Sequence, residues 1–110
     1  MVTVFISHAF SADTVFISHA FSADPEGNVA RVRLIAREIA LQGDIPLAPH
    51  LFLPAIVDEP TERRLAIALC KELVALADEI RVFGEPTEGM LVEIAEAERL
   101  GIPVLRGELP

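Results

Sequence analysis

Acidic side chains are the residues of this 110-residue chain that are best suited to chemistry. Its segment 86–100 carries apolar residues at helical spacing, namely Met90, Leu91, Ile94, Ala97 and Leu100. Glu93 and Glu98 both fall near this apolar stripe, but only Glu93 lies about two turns from the start of the predicted helix. A carboxylate near a helix N-terminus is held ionised, as a nucleophile must be. Glu93 is therefore the candidate nucleophile, and the alternative is a glutamate at a subunit contact or turned to solvent.

The start of the same helix is a second candidate site. Thr87 and Gly89, followed by Met90, place a hydroxyl and a glycine where backbone N–H groups are free. Such a helix start binds a phosphate or a sugar hydroxyl. An ordinary helix cap is the alternative.

The remaining candidates are isolated polar residues. Asp78 stands at the junction of a helix and a strand, where a turn residue is the alternative, and His50 follows a strand, where the alternative is a structural histidine. His19, His50 and Asp24 form no ligand-spacing motif, so we expect no metal site. Cys70 lies among apolar residues in mid-helix and is interpreted as packing. The chain has no GxGxxG, Walker or G-x-S-x-G motif, and we expect no cofactor.

The elements that must position these residues alternate between strand and helix. The predicted helices are Glu26–Gln42, Asp58–Ala77 (with Leu65, Leu69, Leu73 and Leu76 on one face) and Pro86–Leu100, and the strands after the first are Ile45–Ala48, Glu79–Phe83 and Pro103–Arg106. This order predicts an α/β fold, a three-layer Rossmann- or flavodoxin-like parallel sheet of about four to five strands with helices on both faces. Ligands bind such sheets beyond the carboxyl ends of the strands. Those ends are expected at Ser18–Asp24, Pro49–Leu51 and Phe83–Glu88.

The first strand and the loop after it are written twice. Thr3–Asp13 and Thr14–Asp24 both read TVFISHAFSAD, which indicates a recent or an engineered duplication within a single domain of residues 1–110. The second copy runs directly into Asp24-Pro25-Glu26, which is typical of a helix start. We therefore expect the second copy to form the core strand. The first copy would have to be buried elsewhere, for example by edge-strand addition within the molecule or across a dimer.

Composition narrows the classes of partner. Hydrophobic residues make up 52% of the chain and the mean hydropathy is +0.45, which favours a homo-oligomer for so small a domain. The formal charge of −8 disfavours nucleic-acid polymers. A single cysteine, no signal-peptide pattern and no apolar run long enough to span a membrane lead us to expect a soluble, cytoplasmic protein.

Several short sequence motifs occur along the chain in the same order as in a known superfamily. They are Asn28-Val29, Pro49-His50, Glu62-Arg63, Ala77-Asp78-Glu79-Ile80-Arg81-Val82-Phe83-Gly84, Glu88-Gly89-Met90, Glu93-Ile94, Ala97 and Gly101-Ile102-Pro103-Val104. In these runs residues 14–106 resemble the nucleoside 2-deoxyribosyltransferase-like superfamily, especially its small uncharacterised bacterial and phage branch. The resemblance implies that Glu93 attacks the anomeric carbon of a nucleoside to form a glycosyl-enzyme, with Asp78 helping to protonate or position the base.

The resemblance has two departures and one competitor. Ser18-His19 stands where many relatives have Gly-Pro or Ser-Pro, and the chain lacks a C-terminal segment that completes a neighbouring site in some relatives. The run Val15-Phe16-Ile17-Ser18-His19 also resembles the opening of TIR-type domains, some of which cleave NAD, although the rest of the chain does not follow that pattern.

These observations predict an N-glycosidase or deoxyribosyltransferase-like enzyme acting on a nucleoside or nucleoside 5′-monophosphate. Besides Glu93 and Asp78, the expected substrate-binding residues are Ser18, His19, Phe21, Asn28, His50, Thr87, Gly89 and Met90, with Phe21 or Phe52 covering the base. The alternatives are a nucleotide-binding module without chemistry and an engineered duplication made for the study of folding or oligomerisation.

Overall fold

The computed structural model describes residues 13–109, so the prediction of where the first repeat copy packs lies outside the described residues. Strands and α-helices alternate along the described chain. The strands are β1 (Thr14–Ser18), β2 (Ile45–Leu47), β3 (Glu79–Val82) and β4 (Val104–Arg106), and the helices are α1 (Pro25–Leu41), α2 (Arg63–Val74) and α3 (Glu88–Leu100). Two 3-10 helices, Pro49–Leu51 and Leu53–Ala55, follow β2. The second copy of the repeat forms β1.

The strands form one parallel sheet in the order β2-β1-β3-β4. β1 is a central strand, and its Phe16 pairs with Leu47 on one side and with Ile80 on the other. A strand covered on both faces has to be apolar at successive positions, which is why Val15, Phe16 and Ile17 form an unbroken run. The predicted parallel α/β fold is confirmed.

Alternation along β1 separates the two faces of the sheet. Val15 and Ile17 pack in one cluster with the buried side of α1, whereas Phe16 packs in the other with Val74 of α2 and Ala97 of α3. Because side chains alternate along a strand, Ser18 falls on the same side as Phe16. The last residue of β1 therefore faces α2 and α3 rather than α1.

The helix ends follow local signals in the sequence. Asp24 caps α1 by accepting a hydrogen bond from the backbone N–H of Gly27 at 3.3 Å, and Pro25 occupies the first helical position. Thr87 caps α3 in the same way, with its hydroxyl accepting from the N–H of Met90 at 3.4 Å. Gly101 ends α3 with a φ of 74°, a left-handed conformation that favours glycine.

The predicted bounds of the second helix were wrong. α2 begins at Arg63 rather than at Asp58, because residues 58–62 form a turn in which the Asp58 carbonyl accepts from the N–H of Glu62 at 2.7 Å. The predicted apolar face was also wrong at its ends, since Leu65 and Leu76 are exposed. The buried face of α2 is shifted by one residue from the predicted leucine face, and Cys70 and Val74 point inward on it. Close packing on α3 and the sheet selects that face.

Within residues 13–109, no helix is both long and apolar enough to cross a membrane. The homo-oligomeric state and the cytoplasmic location stay predictions. The organisation of residues 1–110 as a single domain also stays a prediction.

Candidate active site

A cavity of about 260 Å³ opens at the carboxyl edge of the sheet. Its walls come from the loop after β1, the 3-10 segment after β2, the first half of α2 and the start of α3. The lining residues are His19, Ala20, Phe21, Ser22, Ala23, Pro49, His50, Leu53, Pro54, Val57, Glu59, Arg63, Ala66, Ile67, Cys70, Thr87, Gly89, Met90 and Glu93. Most of them are apolar, so the few polar groups decide what the cavity can do.

Glu93 is the more deeply buried of the two acidic residues that line this cavity, the other being Glu59. The Glu93 side chain is only 7% exposed, and its Oε1 accepts a hydrogen bond from the Ser18 hydroxyl at 2.7 Å. Ser18 is fully buried and reaches Glu93 because β1 turns its last side chain toward α3. Glu98 is exposed, so depth along the helix distinguishes the two glutamates where the helical wheel does not.

Burial sets the protonation of Glu93. Loss of hydration raises its pKa from 4.5 to about 7, and hydrogen bonding from Ser18 and from the Cys70 thiol lowers it only in part. The expectation that this carboxylate is held ionised was therefore incomplete, because burial raises its pKa. Near pH 7 the protonated and ionised forms are present in comparable amounts.

Cys70 is a site residue that the sequence interpretation missed. It lines the cavity beside Glu93, and burial, followed by the nearby Glu93 carboxylate, raises its thiol pKa to about 12. The thiol therefore stays protonated and acts as a donor rather than as a nucleophile. Its spacing from Ala66 and Ile67 is the signal that places the three on one helical face, but only the packing of α2 shows that this face borders a cavity.

The two predicted histidines form one wall. His50 donates from Nε2 to the carbonyl oxygens of His19 and Ala20, at 2.9 and 3.1 Å. Burial lowers the pKa of His50, so the ring is neutral, and its buried Nδ1 has no partner among residues 13–109. The ring of Phe21 packs edge-on against His50 with the centroids 5.6 Å apart. His19, Phe21 and His50 are thus brought together in the cavity as a largely apolar surface.

The predicted residues at the start of α3 also reach the cavity. Thr87, Gly89 and Met90 line it, while the Thr87 hydroxyl is engaged as the helix cap. Met90 is 1% exposed, and its Sδ accepts from the Thr87 N–H at 3.4 Å. This segment is therefore both a helix cap and a part of the wall.

Asn28 and Phe52 do not line the cavity. Asn28 is buried and donates from Nδ2 to the carbonyl of Phe21 at 3.1 Å, while its Oδ1 accepts from Arg31 at 2.7 Å. Its position in the first turn of α1 directs it to the loop after β1 rather than to a ligand. Asn28 thus holds the segment that carries Phe21, and of the two phenylalanines only Phe21 is placed to cover a ligand.

Asp78 lies at the opposite edge of the sheet from Glu93. It precedes β3, and its carboxylate accepts from the N–H of Thr14, the first residue of β1, at 2.7 Å. Thr14 and Ser18 are separated by the length of β1, roughly 13 Å at 3.3 Å per residue. The prediction that Asp78 assists Glu93 is therefore not supported by its position, because a residue that precedes a parallel strand lies at the amino edge.

Arg63 organises the rim of the cavity. Its guanidinium contacts Glu59 at 3.0 Å and Glu88 at 3.2 Å, and Nη1 donates to the Ser22 hydroxyl at 2.6 Å. That hydroxyl donates in turn to Glu59 at 2.6 Å. The cluster joins the loop after β1, the segment before α2 and the first turn of α3. Its members are too far apart in sequence for a motif to reveal it.

No group of histidine, cysteine, aspartate and glutamate side chains in the described part of the chain is arranged to hold a metal ion. His19 and His50 share the cavity, but each ring donates to backbone carbonyls. Asp24 points to the start of α1 instead.

Removal of the Ser18 hydroxyl is expected to raise the pKa of Glu93 further. In Ser18→Ala the carboxylate loses the donor that favours its ionised form, so ionisation moves to higher pH. The pKa can be followed by carbon-detected NMR of the glutamate carboxyl groups, with Ser22→Ala as the matched loss of a hydroxyl at the rim. An unchanged or lowered Glu93 pKa in Ser18→Ala would contradict the role assigned to this bond.

Fold and site together define a parallel α/β domain with a largely apolar pocket at the carboxyl ends of its strands, in which Glu93 is the most deeply buried acid. The chain belongs to the family described as a domain of unknown function, DUF7768, which matches residues 13–106.

A solved structure described as "2-desoxiribosyltransferase from Leishmania mexicana" is similar to this one, with a TM-score of 0.60 and 18% sequence identity. The similarity covers 87% of this chain and 64% of that one, so this chain spans less than two thirds of that structure. At this identity the likeness shows a shared fold. None of the curated proteins matches this chain.

Proposed function

We propose that this protein cleaves the N-glycosidic bond of a nucleoside or nucleoside 5′-monophosphate, with Glu93 as the nucleophile. One observation carries the proposal: a glutamate 7% exposed lies in an apolar cavity, bonded to Ser18, at the sheet edge where parallel α/β folds bind ligands. The fold shared with a 2-deoxyribosyltransferase supports the same class of reaction.

The reaction follows from a carboxylate that is only partly hydrated. A carboxylate oxygen of ionised Glu93 forms a bond to C1′ while the bond from C1′ to the base nitrogen breaks. The bonding electron pair leaves with the base, which takes up a proton from solvent. Water then attacks C1′, the ester bond breaks, and a proton returns to solvent. One water is consumed, and free base and free sugar are released. A second base in place of water would make the reaction a transfer.

The other cavity residues have binding roles in this proposal. Phe21 and the wall of His19 and His50 offer an apolar, aromatic surface to the flat base. Ser18 and Cys70 orient the carboxyl group, because the Ser18 hydroxyl donates to Oε1 and the Cys70 thiol is a second donor to the same side chain. Thr87, Gly89 and Met90 border the sugar. Asp78 has no part in this proposal, because it lies at the other edge of the sheet.

The test is chromatography of deoxynucleosides, ribonucleosides, their 5′-monophosphates and NAD after incubation with the protein. The wild type is expected to release free base from at least one of them, and Glu93→Gln to lower the rate about a thousandfold or more. Glu98→Gln, an exposed glutamate on the same helix, should retain full activity. Release by Glu93→Gln at the wild-type rate would refute the role of Glu93.

A nucleotide-binding module without chemistry is the second candidate. It is favoured by the mostly apolar lining and by a Glu93 that is largely protonated below pH 7, since a protonated acid can donate to a base without attacking a sugar. Saturable binding with no base released after long incubation at pH 8 would establish this alternative. Release of nicotinamide from NAD alone would favour the TIR-like activity instead.

A further inference from the structure

The rim of the cavity carries more negative than positive charge. Of the described lining residues, Arg63 alone holds a permanent positive charge, and two carboxylates, Glu59 and Glu88, already pair with it. The Ser22 hydroxyl takes a further guanidinium N–H. A phosphate that approaches this cation therefore also approaches the two carboxylates that already pair with it.

The start of α3 is capped from within the chain and carries a carboxylate of its own. Glu88 places a carboxylate in the first turn, where it already interacts with the positive end of the helix. The N–H of Met90 is taken by Thr87 Oγ1, and the N–H of Thr87 by Met90 Sδ. The neutral His50 adds no charge. Two of the N–H groups at this helix start are thus engaged within the chain, and the carboxylate of Glu88 lies in the same turn.

The position of Glu93 inside the cavity makes the charge of the rim important for which substrates can bind. If C1′ has to approach Glu93 inside the cavity, a 5′ substituent extends toward the wall or the opening. On the proposed path it approaches Glu59, which lines the cavity beside Arg63, and Glu88, which pairs with the same guanidinium. A phosphate dianion in that region is repelled, whereas a hydroxyl is not.

We propose that Glu59 and Glu88 act as a charge filter, so that the site accepts uncharged nucleosides and rejects their 5′-monophosphates. The filter specifies the substrate class of the proposed function and rests on that function, since it assumes that a nucleoside reaches Glu93. Arg63 holds the two carboxylates at the rim and is not a phosphate ligand. The specificity-determining residues are therefore acidic, and they lie on two segments that approach each other only in the folded chain.

The filter is tested by equilibrium dialysis of the four common 2′-deoxynucleosides and their 5′-monophosphates. The measurements use Glu93→Gln protein, in which turnover is blocked, and the same protein with Glu59→Gln and Glu88→Gln added. We expect the nucleoside to bind at least about tenfold more tightly than its monophosphate. The two added changes should strengthen binding of the monophosphate about tenfold and leave binding of the nucleoside within about twofold.

A matched control removes two charges far from the rim. Glu72→Gln and Glu98→Gln lie near the C-terminal ends of α2 and α3, at the opposite edge of the sheet, and should leave the preference for the nucleoside intact. If the double rim change prevents folding, as seen by circular dichroism, Glu88→Gln alone replaces it, because that side chain is 74% exposed.

The outcomes separate the filter from the proposed reaction. A monophosphate that binds as tightly as its nucleoside overturns the filter, and so does a preference that survives loss of both rim carboxylates, or the absence of binding by every probe. Base release by the wild type from monophosphates in preference to nucleosides supports the reaction and overturns the filter. The expected binding order without base release from any substrate supports the filter and refutes the reaction.

Discussion

Glu93→Gln is expected to stabilise the folded protein by about 3 kcal/mol at pH 8 and by almost nothing at pH 4. The pKa of Glu93 is 4.5 when exposed and about 7 in the folded chain, so folding favours the protonated form. The stabilisation from this group is fully present below pH 4.5 and is lost as the pH rises through about 7. Glutamine does not titrate, and its oxygen still accepts from Ser18. The variant therefore does not lose stability as the pH rises through about 7.

The measurement is denaturation by urea at pH 4, 6 and 8, followed by circular dichroism because the chain has no tryptophan or tyrosine. The difference in free energy of unfolding between wild type and variant should open between pH 4.5 and 7 and stay constant above. Glu98→Gln is the control, since an exposed glutamate should show no such difference. Equal or lower stability of Glu93→Gln at pH 8 would mean that the ionised carboxylate is well solvated in the folded protein.

This prediction links stability to function. If Glu93 is the nucleophile that we propose, poor hydration makes its carboxylate more reactive, and the same burial lowers the stability of the fold above pH 7. If Glu93→Gln is inactive yet more stable, the acid is retained for chemistry rather than for packing. If Glu93→Gln is instead active and less stable than the wild type, Glu93 has a structural role, in which it joins α3 to β1 through Ser18.

Phe16→Ala is expected to destabilise the protein by about 3 to 5 kcal/mol, a large share of the stability of a domain of this size. Phe16 is fully buried in the central strand and packs against Val74 and Ala97. Truncation removes apolar contact and leaves a cavity that the two helices cannot close without shifting. The loss is measured as a lower urea midpoint at neutral pH.

The repeat supplies a matched control for this change. Phe5 has the same eleven-residue context as Phe16 and lies outside the described residues. Because the second copy forms β1, Phe5→Ala should change stability far less than Phe16→Ala. Equal losses for the two changes, or a mild Phe16→Ala combined with a severe double variant, would show that either copy can enter the central strand.

Local signals predicted much of this fold. The alternation of strand and helix, the Asp24-Pro25 start of α1, the Thr87 cap and the Gly101 stop depend on neighbouring residues, and all are found in the structure. Glu93 was also predictable, since its helix phase and its distance from the helix start are both properties of one segment. The rule that parallel sheets bind ligands beyond the carboxyl ends of their strands was informative too. Asp78 precedes β3, so the rule by itself places Asp78 at the other edge of the sheet.

The sequence by itself therefore determined the order of the elements. It also predicted the second copy as the core strand, which the structure shows, and Glu93 as the candidate acid, whose role stays a prediction. The tertiary structure alone decided which groups surround that acid. Ser18 and Glu93 are 75 positions apart, and Arg63 collects partners from three segments, so these contacts exist only once strand order and helix packing are set. The pKa of Glu93 belongs to the same category, because it depends on how much water the packed helices exclude, and no spacing along the chain encodes that exclusion.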